Sequence, residues 1–476
     1  MIKNRGQLSI QILIYSAVAT ILLSGFLVWA YVVITSASRA YNRSVAFSIA
    51  EAGAEYYRWH LAHDNTDYTD GTGGSGPYVH DYFDKNGVRL GQFSLEIIPP
   101  PIGSTVVTIK STGKIDWDPT IEKIIEVKMG IPSFAKYAAV LNADVRFGSG
   151  TNVYGLIHSN GGIRFDGVAY NIVSSALSDY NDPDHSGANE FGVHTHANPI
   201  DPLPPAAVPN RTDIFKVGRQ FPVPVVDFAG ITADLAQMKS DASSTGYYYG
   251  PSGALGYHIV LKTDDTFDIY RVNTLVPPPS NCTNVLNQSG WSSWSIQAET
   301  LIQNRPFPAN GIIFVEDELW INGQINGARL IFAAGRFPDN PSTRPAIAIN
   351  NDLLYTNYDG TDTIGLIAQG NINIGLVSED DLKIDAALVA QNGRVGRYYY
   401  RPPGGGQNRC SPYHVRQIIT PYGMIASNQR YGFAYTDGTG YQIRNLIYDA
   451  NLLYNPPPSF PLTTDTYEII SWKELK

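Results

Sequence analysis

RGQLSIQILIYSAVATILLSGFLVWAYVVITSASR, residues 5–39, decides the architecture. No charged side chain stands between Arg5 and Arg39, and the run from Leu8 to Ile34 is dense in Ile, Leu, Val, Ala and aromatic residues. Such a run exceeds the ~20 residues an α-helix needs to cross a bilayer, so it predicts one transmembrane helix. The cationic start, Met1 to Arg5, also suits a secretory signal. The apolar stretch is, however, about twice the roughly 7–15-residue core of such signals. Removal near Ser36-Ala37-Ser38 is the alternative outcome. Lys3 and Arg5 are balanced by Arg39 and Arg43, so flanking charge does not orient the helix. The large polar body that follows argues for export.

Downstream, Val45, Ile49, Ala52, Tyr56 and Trp59 recur at spacings of four, three, four and three. That period extends the helix to about His63 with one apolar stripe. Fifty-odd residues then make a rod of ~80 Å. Glu51 and Glu55 read as its solvated face. A Gly/Asp/Tyr-rich stretch, Asp64 to Gly76, ends the helix, and strand-like runs follow at Gln92 to Ile98, Thr105 to Ile115 and Ile121 to Met129. Alternation in Ser94-Leu95-Glu96-Ile97 and Val107-Thr108-Ile109-Lys110 suits an antiparallel sheet with one face on the helix.

The segment Arg5-Gly6-Gln7-Leu8, directly ahead of the apolar helix, resembles the leader of type IV prepilins. Ala50-Glu51-Ala52-Gly53, followed by Tyr56-Tyr57-Arg58-Trp59, resembles the AEAG segment of the PilX family of minor pilins. The resemblance implies a leader of residues 1–6, a pilin-like long helix over 7–63 and a small antiparallel pilin-like sheet over 64–131. It further implies cleavage after Gly6 by a membrane-embedded prepilin peptidase, with Gln7 as the new N-terminus, and other pilin-like subunits as partners through the helix. The chain departs from the family at the fifth position after that cleavage, where most pilins carry Glu and this sequence has Gln11. In the family that Glu neutralises the ammonium of an adjacent subunit inside the apolar filament core, where an unpaired charge is costly. Gln11 can accept a hydrogen bond but cannot neutralise it, which implies a tip-located subunit over a repeating one.

After Ile131-Pro132 the texture changes to short β-branched runs broken by Gly and Asn. Gly155 to Asn160, Gly365 to Gly370, Ala387 to Asn392 and Gly423 to Asn428 share one small-apolar-apolar-x-polar pattern. Val145-Arg146-Phe147 recurs as Ile163-Arg164-Phe165. Echoes about twenty residues apart predict stacked coils of a right-handed β-solenoid over 132–476, with Asn and Gln residues laddered between coils. A β-sandwich with chance similarity is the competing arrangement. A Pro-rich and helical insertion interrupts the coils at about 198–300, and its helical stripe Phe228, Ile231, Leu235 and Met238 is expected to pack on them. The segments Gly311 to Gly335 and Leu382 to Gly393 resemble the β-helical bodies of some PilX-like surface proteins. The fold class expected is thus mainly β with a long N-terminal transmembrane α-helix: a pilin-like α+β module followed by a β-solenoid.

Composition bounds the function. With 16% charged residues and a net charge of -9 among 476 residues, no basic field exists to hold nucleic acid. The 44 Gly, 31 Pro and 30 Tyr favour short strands and tight turns. Asp182, Asp184, Ser186 and later Glu190 have the alternating spacing of the first half of a calcium loop, but the twelfth position is Val193. This half-motif suits calcium, against a solvated acidic loop. His185, His194 and His196 suggest zinc, against a polar surface group. Cys282 and Cys410 either form one disulfide between surface loops or remain free thiols. No G-x-S-x-G, phosphate-cradling Gly-rich loop or H-E-x-x-H occurs, and Glu379-Asp380-Asp381 reads as a solvated turn, so no enzyme is expected. Trp291, Trp294 and the runs Tyr247 to Tyr249 and Tyr398 to Tyr400 read by default as half-buried β residues, the alternative being stacking on a surface glycan or protein ligand. The expectation is a pilus-like tip subunit at the cell surface, anchored in the membrane by its single helix with the body extracytoplasmic, serving adhesion or assembly initiation. The alternatives are a surface-anchored glycan-cleaving β-helix enzyme and a membrane-anchored protein that never polymerises.

Overall fold

The computed structural model describes residues 5–101, 103–228, 230–282, 294–400 and 410–475. They fall into two compact units, Met1–Pro100 with Val106–Gly130 and Asp465–Lys476, and Pro101–Thr105 with Ile131–Thr464.

In the first unit a single helix, α1, runs Arg5–His63 without interruption over 59 residues, about 88 Å of rod. Four antiparallel strands follow, β1 (Tyr78–Phe83), β2 (Arg89–Ile98), β3 (Val107–Ile115) and β4 (Glu122–Gly130). β1 was not among the expected strands, because its short polar-aromatic run does not stand out from the Gly/Asp/Tyr-rich stretch before it. A fifth strand arrives from the far end of the sequence. Glu468–Glu474 pairs antiparallel with β4, Glu468 opposite Gly130. The expected body of 132–476 is therefore corrected: its last residues belong to the sheet of the first unit.

The buried stripe of α1 also differs from expectation. Ala46, Ile49, Ala50, Ala54, Tyr57 and Leu61 form one core with Val107, Ile109, Ile115, Ile125 and Val127, while Trp59 is exposed. The stripe is turned towards small residues because the helix approaches the sheet backbone closely. A Cβ on Gly113 would lie 2.2 Å from the Ala46 carbonyl oxygen, and one on Gly53 would lie 2.3 Å from Ser111 Oγ. Large side chains at those positions would hold helix and sheet apart.

The second unit is built from short parallel strands stacked coil on coil. Tyr247–Tyr249, Ile312–Val315, Arg329–Ala334, Thr363–Ala368, Asp381–Ala390, Val415–Ser427, Ala139–Leu141, Ile157–Ser159 and Val173–Ser175 pair in parallel in that order. The first coils in the sequence thus stack beyond the last ones. All four echoed segments lie in this ladder. Gly365 pairs with Ala387, and Ile425 connects through Ala139 to Ile157, as the sequence echo aligns them. Between the two pairs the register is one residue off that alignment, Leu388 facing Ile425. Both side chains belong to the same core cluster, and a strand slipped by one residue would send one of them to the other face.

Both faces of the ladder are covered. Leu366, Leu388, Ile425 and Ile157 point into one cluster, whereas Ile367, Val389, Ala426 and Val140 enter a second with Leu452, Phe460 and the helix α2 (Gly230–Ser244). Phe228, Leu235, Met238 and Ala242 supply the contact, and the side chain of Ile231 lies outside the described residues. At the ladder's edge Asn160 Nδ2 donates to Asn142 Oδ1, and Asn142 Nδ2 donates to Asn428 Oδ1, both at 2.7 Å. The interruption expected at 198–300 is narrower than read. Arg219–Gln220 pairs with Val173 and Ser174, and Gly256–Leu261 pairs in parallel with the strand Leu319–Gln324, so these are coil strands. What departs from the coil pattern is the helix α2 and the antiparallel meander in which Thr266–Leu275 pairs with Gly256–Leu261 and with Ile296–Pro306.

Candidate functional site

Along α1 two environments follow one another. Leu8, Leu13, Ile21, Leu22, Phe26 and Val32 are all exposed, although an apolar helix surface in water is unfavourable. Four hydroxyls in this half need no solvent. Ser16, Thr20, Ser24 and Thr35 donate to the carbonyls of Leu13, Ser16, Thr20 and Tyr31 at 3.0, 2.7, 2.7 and 2.8 Å. Every such back-bond removes a donor that hydrocarbon would leave unsatisfied. The helix is long and apolar enough to cross a membrane. Gln7 and Gln11 lie on its exposed surface. Gly6 has helical backbone, whereas Met1 to Asn4 of the expected leader lie outside the described residues. The second half begins at buried Asn42, whose Oδ1 accepts from Trp117 Nε1 at 3.0 Å. Within Ala50-Glu51-Ala52-Gly53 the outer pair, Ala50 and Gly53, is buried against the sheet while Glu51 is exposed.

The 182–196 segment does not assemble the expected calcium set. Asp184 is turned to Arg430, whose Nη1 donates to its Oδ1 at 3.0 Å and whose Nη2 donates to its Oδ2. Ser186 is exposed. The Asp184 N–H donates to Asp182 Oδ1 at 2.9 Å, so that oxygen closes a turn. The structure instead brings Asp182 to His194, with 3.6 Å from Oδ2 to Nε2. Glu190 Oε1 lies 3.2 Å from His196 Nε2 and 3.4 Å from His185 Nδ1. Asp182, Glu190 and His194 are buried. Burial alone would raise the Asp182 carboxyl, but the His194 imidazole, the Asp184 N–H and the Arg164 guanidinium outweigh it and hold it well below the usual carboxylate range. Burial, reinforced by Arg164, lowers the His196 imidazole. The H-x-H signal was visible in the sequence. Asp182 and Glu190 stood out only as calcium candidates, since their grouping with the histidines arises when 179–191 folds back on itself.

Cys282 and Cys410 are joined in a disulfide, 128 residues apart in sequence. Tyr398 and Tyr400 are buried beside it with Leu376, so this aromatic run is core and not a platform for a ligand. Tyr247–Tyr249 is likewise a ladder strand, although Tyr248 is exposed and donates to Glu316 Oε2 at 2.7 Å. Trp294 packs on Trp320, and Trp291 lies outside the described residues.

A cavity of about 660 Å³ is lined by Arg146, Asp184, Arg394, Arg430, Tyr435 and Arg444 among others. Asp184 is its one lining carboxylate and is paired with Arg430.

No protein-family model and no curated protein matches the chain. Among solved structures, it is similar to the competence-associated pilin ComZ from Thermus thermophilus at 12% identity and a TM-score of 0.32, over 91% of this chain and 97% of that one.

Proposed function

We propose that this chain is a membrane-anchored minor subunit of a type IV pilus-like filament, placed at the tip and presenting its coil-built unit for adhesion or for initiating assembly. The observation that carries the proposal is α1: one unbroken helix, exposed and apolar through its first half and seated on an antiparallel sheet through its second. An exposed apolar half suits lipid before assembly and other apolar helices after it. The small residues of Ala50-Glu51-Ala52-Gly53, in the manner of the PilX family, let the helix lie against the sheet. Processing after Gly6 leaves this helix intact and exposes Gln7.

The tip position follows from Gln11. In the middle of a filament a neighbouring subunit's ammonium beside Gln11 would remain unpaired in an apolar surrounding, at a cost of several kcal/mol. A subunit used once escapes that cost. The body acts by binding and not by catalysis, a view supported by the cavity of about 660 Å³, whose one lining carboxylate is paired with Arg430.

Mass spectrometry of the membrane-extracted protein tests the processing: Gln7 at the N-terminus is expected, and an intact Met1 or a start near Ser38 refutes it. Immunogold labelling tests the position. Label confined to filament ends is expected. Uniform label along shafts refutes the tip assignment, and label on cells with none on filaments favours a protein that never polymerises.

A further inference from the structure

Two histidines and two carboxylates of the 182–196 segment converge in a buried site that the protein itself leaves unsatisfied, and we propose that they bind a divalent transition-metal ion of the zinc class. Asp182, His194 and His196 are its ligands, with Glu190 bracing His196.

The backbone explains the convergence. Asp179–Tyr180 and Glu190–Phe191 pair antiparallel, Tyr180 opposite Glu190, which returns the chain beside Asp182. Val193–His194 then joins the parallel strand Ile163–Phe165, with His194 opposite Arg164. Side chains alternate along extended chain, so His194 and His196 point to one side and Thr195 to the other. Asp166 Oδ1 fixes the second of them by accepting from the His196 N–H at 2.8 Å.

The ligand atoms of Asp182, His194 and His196 lie within 4.8 Å of one another. Tetrahedral zinc, with bonds of about 2.0–2.1 Å, sets its ligands roughly 3.3–3.5 Å apart, so modest side-chain closure suffices. The independent sign of a ligand is what the site lacks. His194 is fully buried, yet neither ring nitrogen has a hydrogen-bond partner, and the same holds for Asp182 Oδ2 and Glu190 Oε2. Buried polar atoms in native proteins are satisfied almost without exception, and an ion would take up the lone pair of one His194 nitrogen and that of Asp182 Oδ2. Glu190 Oε1, 3.2 Å from His196 Nε2, holds that ring as an outer carboxylate holds a metal-bound imidazole, leaving its other nitrogen for the ion. His185 is half-exposed and forms a second triad with Glu190 and His196, which places it on the solvent side as a point of entry.

Chemistry selects the ion. Two imidazoles with one carboxylate suit zinc and its first-row neighbours, whereas calcium takes 6–8 oxygens, roughly twice what this site offers. The nearest competing cation is Arg164, whose Nη1 is 3.5 Å from Asp182 Oδ2. Its shorter bond, from Nε at 2.9 Å, goes to Asp166, so the guanidinium keeps an anchor if an ion takes the Asp182 oxygen.

The test uses the full chain in detergent, stripped with EDTA and titrated with zinc chloride against a chromophoric chelator, then with cobalt(II). We expect one equivalent of zinc, a visible cobalt band of tetrahedral type, and a melting midpoint raised by roughly 2–4 °C. His194→Gln and His196→Gln should each weaken binding at least tenfold, and Glu190→Gln about tenfold. Asp184→Asn should leave it unchanged. Absence of saturable zinc binding by the folded wild type overturns the proposal, as does saturation by calcium in its place. Unchanged affinity in His196→Gln or Glu190→Gln also overturns it, and these two report even if the buried His194 variant fails to fold.

Discussion

In the first unit β3 buries Val107, Ile109, Ser111, Gly113 and Ile115 and leaves the residues between them half-exposed, whereas in the second unit Thr363–Ala368 is buried at all six positions. The antiparallel sheet has one covered face and one in solvent. The parallel ladder is covered on both, by its own interior and by α2 with the 452–460 segment. The difference lies in how stability is distributed. The sheet unit depends on one close helix–sheet approach. The ladder repeats a similar contact from coil to coil, so each coil is supported by its neighbours.

The sharpest way to break the comparison is Gly113→Leu. Its Cβ would fall 2.2 Å from the Ala46 oxygen and 2.4 Å from the Ala50 nitrogen, both backbone atoms that cannot step aside. We expect α1 to lift from the sheet, a loss of about 3 kcal/mol or more, with early proteolysis of β2 to β4 and an unchanged ladder transition. If both units melt together, stability is not divided in this way. Next in size is Leu366→Ala inside the ladder, expected to lose about 2–5 kcal/mol. Hydrogen exchange should accelerate first in its paired strands, Arg329–Ala334 and Asp381–Ala390.

A third test uses acid–base chemistry. Burial, outweighing the Ala346 N–H that donates to it, pushes the Glu318 carboxyl from 4.5 up to about 8. The fold therefore prefers the protonated acid. The stability it contributes is complete below about pH 4.5 and is lost as pH rises through about 8. Glu318→Gln should flatten the decline of the ladder's melting midpoint across that window and leave the sheet unit's pH profile alone. The smallest effect is expected from Asn142→Ala, which removes both rungs of the Asn160–Asn142–Asn428 ladder for about 1 kcal/mol, measured by denaturant titration.

Local signals were legible. The charge-free run after Arg5 gave the helix, and alternation in β2 and β3 gave the sheet. The echoes gave strands that stack, because a repeated buried pattern carries its own period. What sequence periodicity could not give was anything set by a distant partner. The Glu468–Glu474 strand pairs with residues more than 300 positions earlier. The one-residue register change between Leu388 and Ile425 depends on which cluster each side chain fills. The helix stripe was placed on the large residues Tyr56 and Trp59, yet close approach selected Ala50, Gly53 and Tyr57. For the candidate metal site the histidine pair and the carboxylates were each visible, but their grouping needed the fold-back of 179–191.

The pairing of Gly130 with Glu468 makes Ile131–Thr464 of the second unit an insertion whose entrance and exit are neighbouring residues of one sheet. A protease that severs the chain at one of these crossings leaves the other covalently tethered, so the inserted part outlasts a single cut where a body on one linker would be released. The same closure lets evolution exchange everything between 131 and 464 as a cassette while the sheet of the first unit is kept.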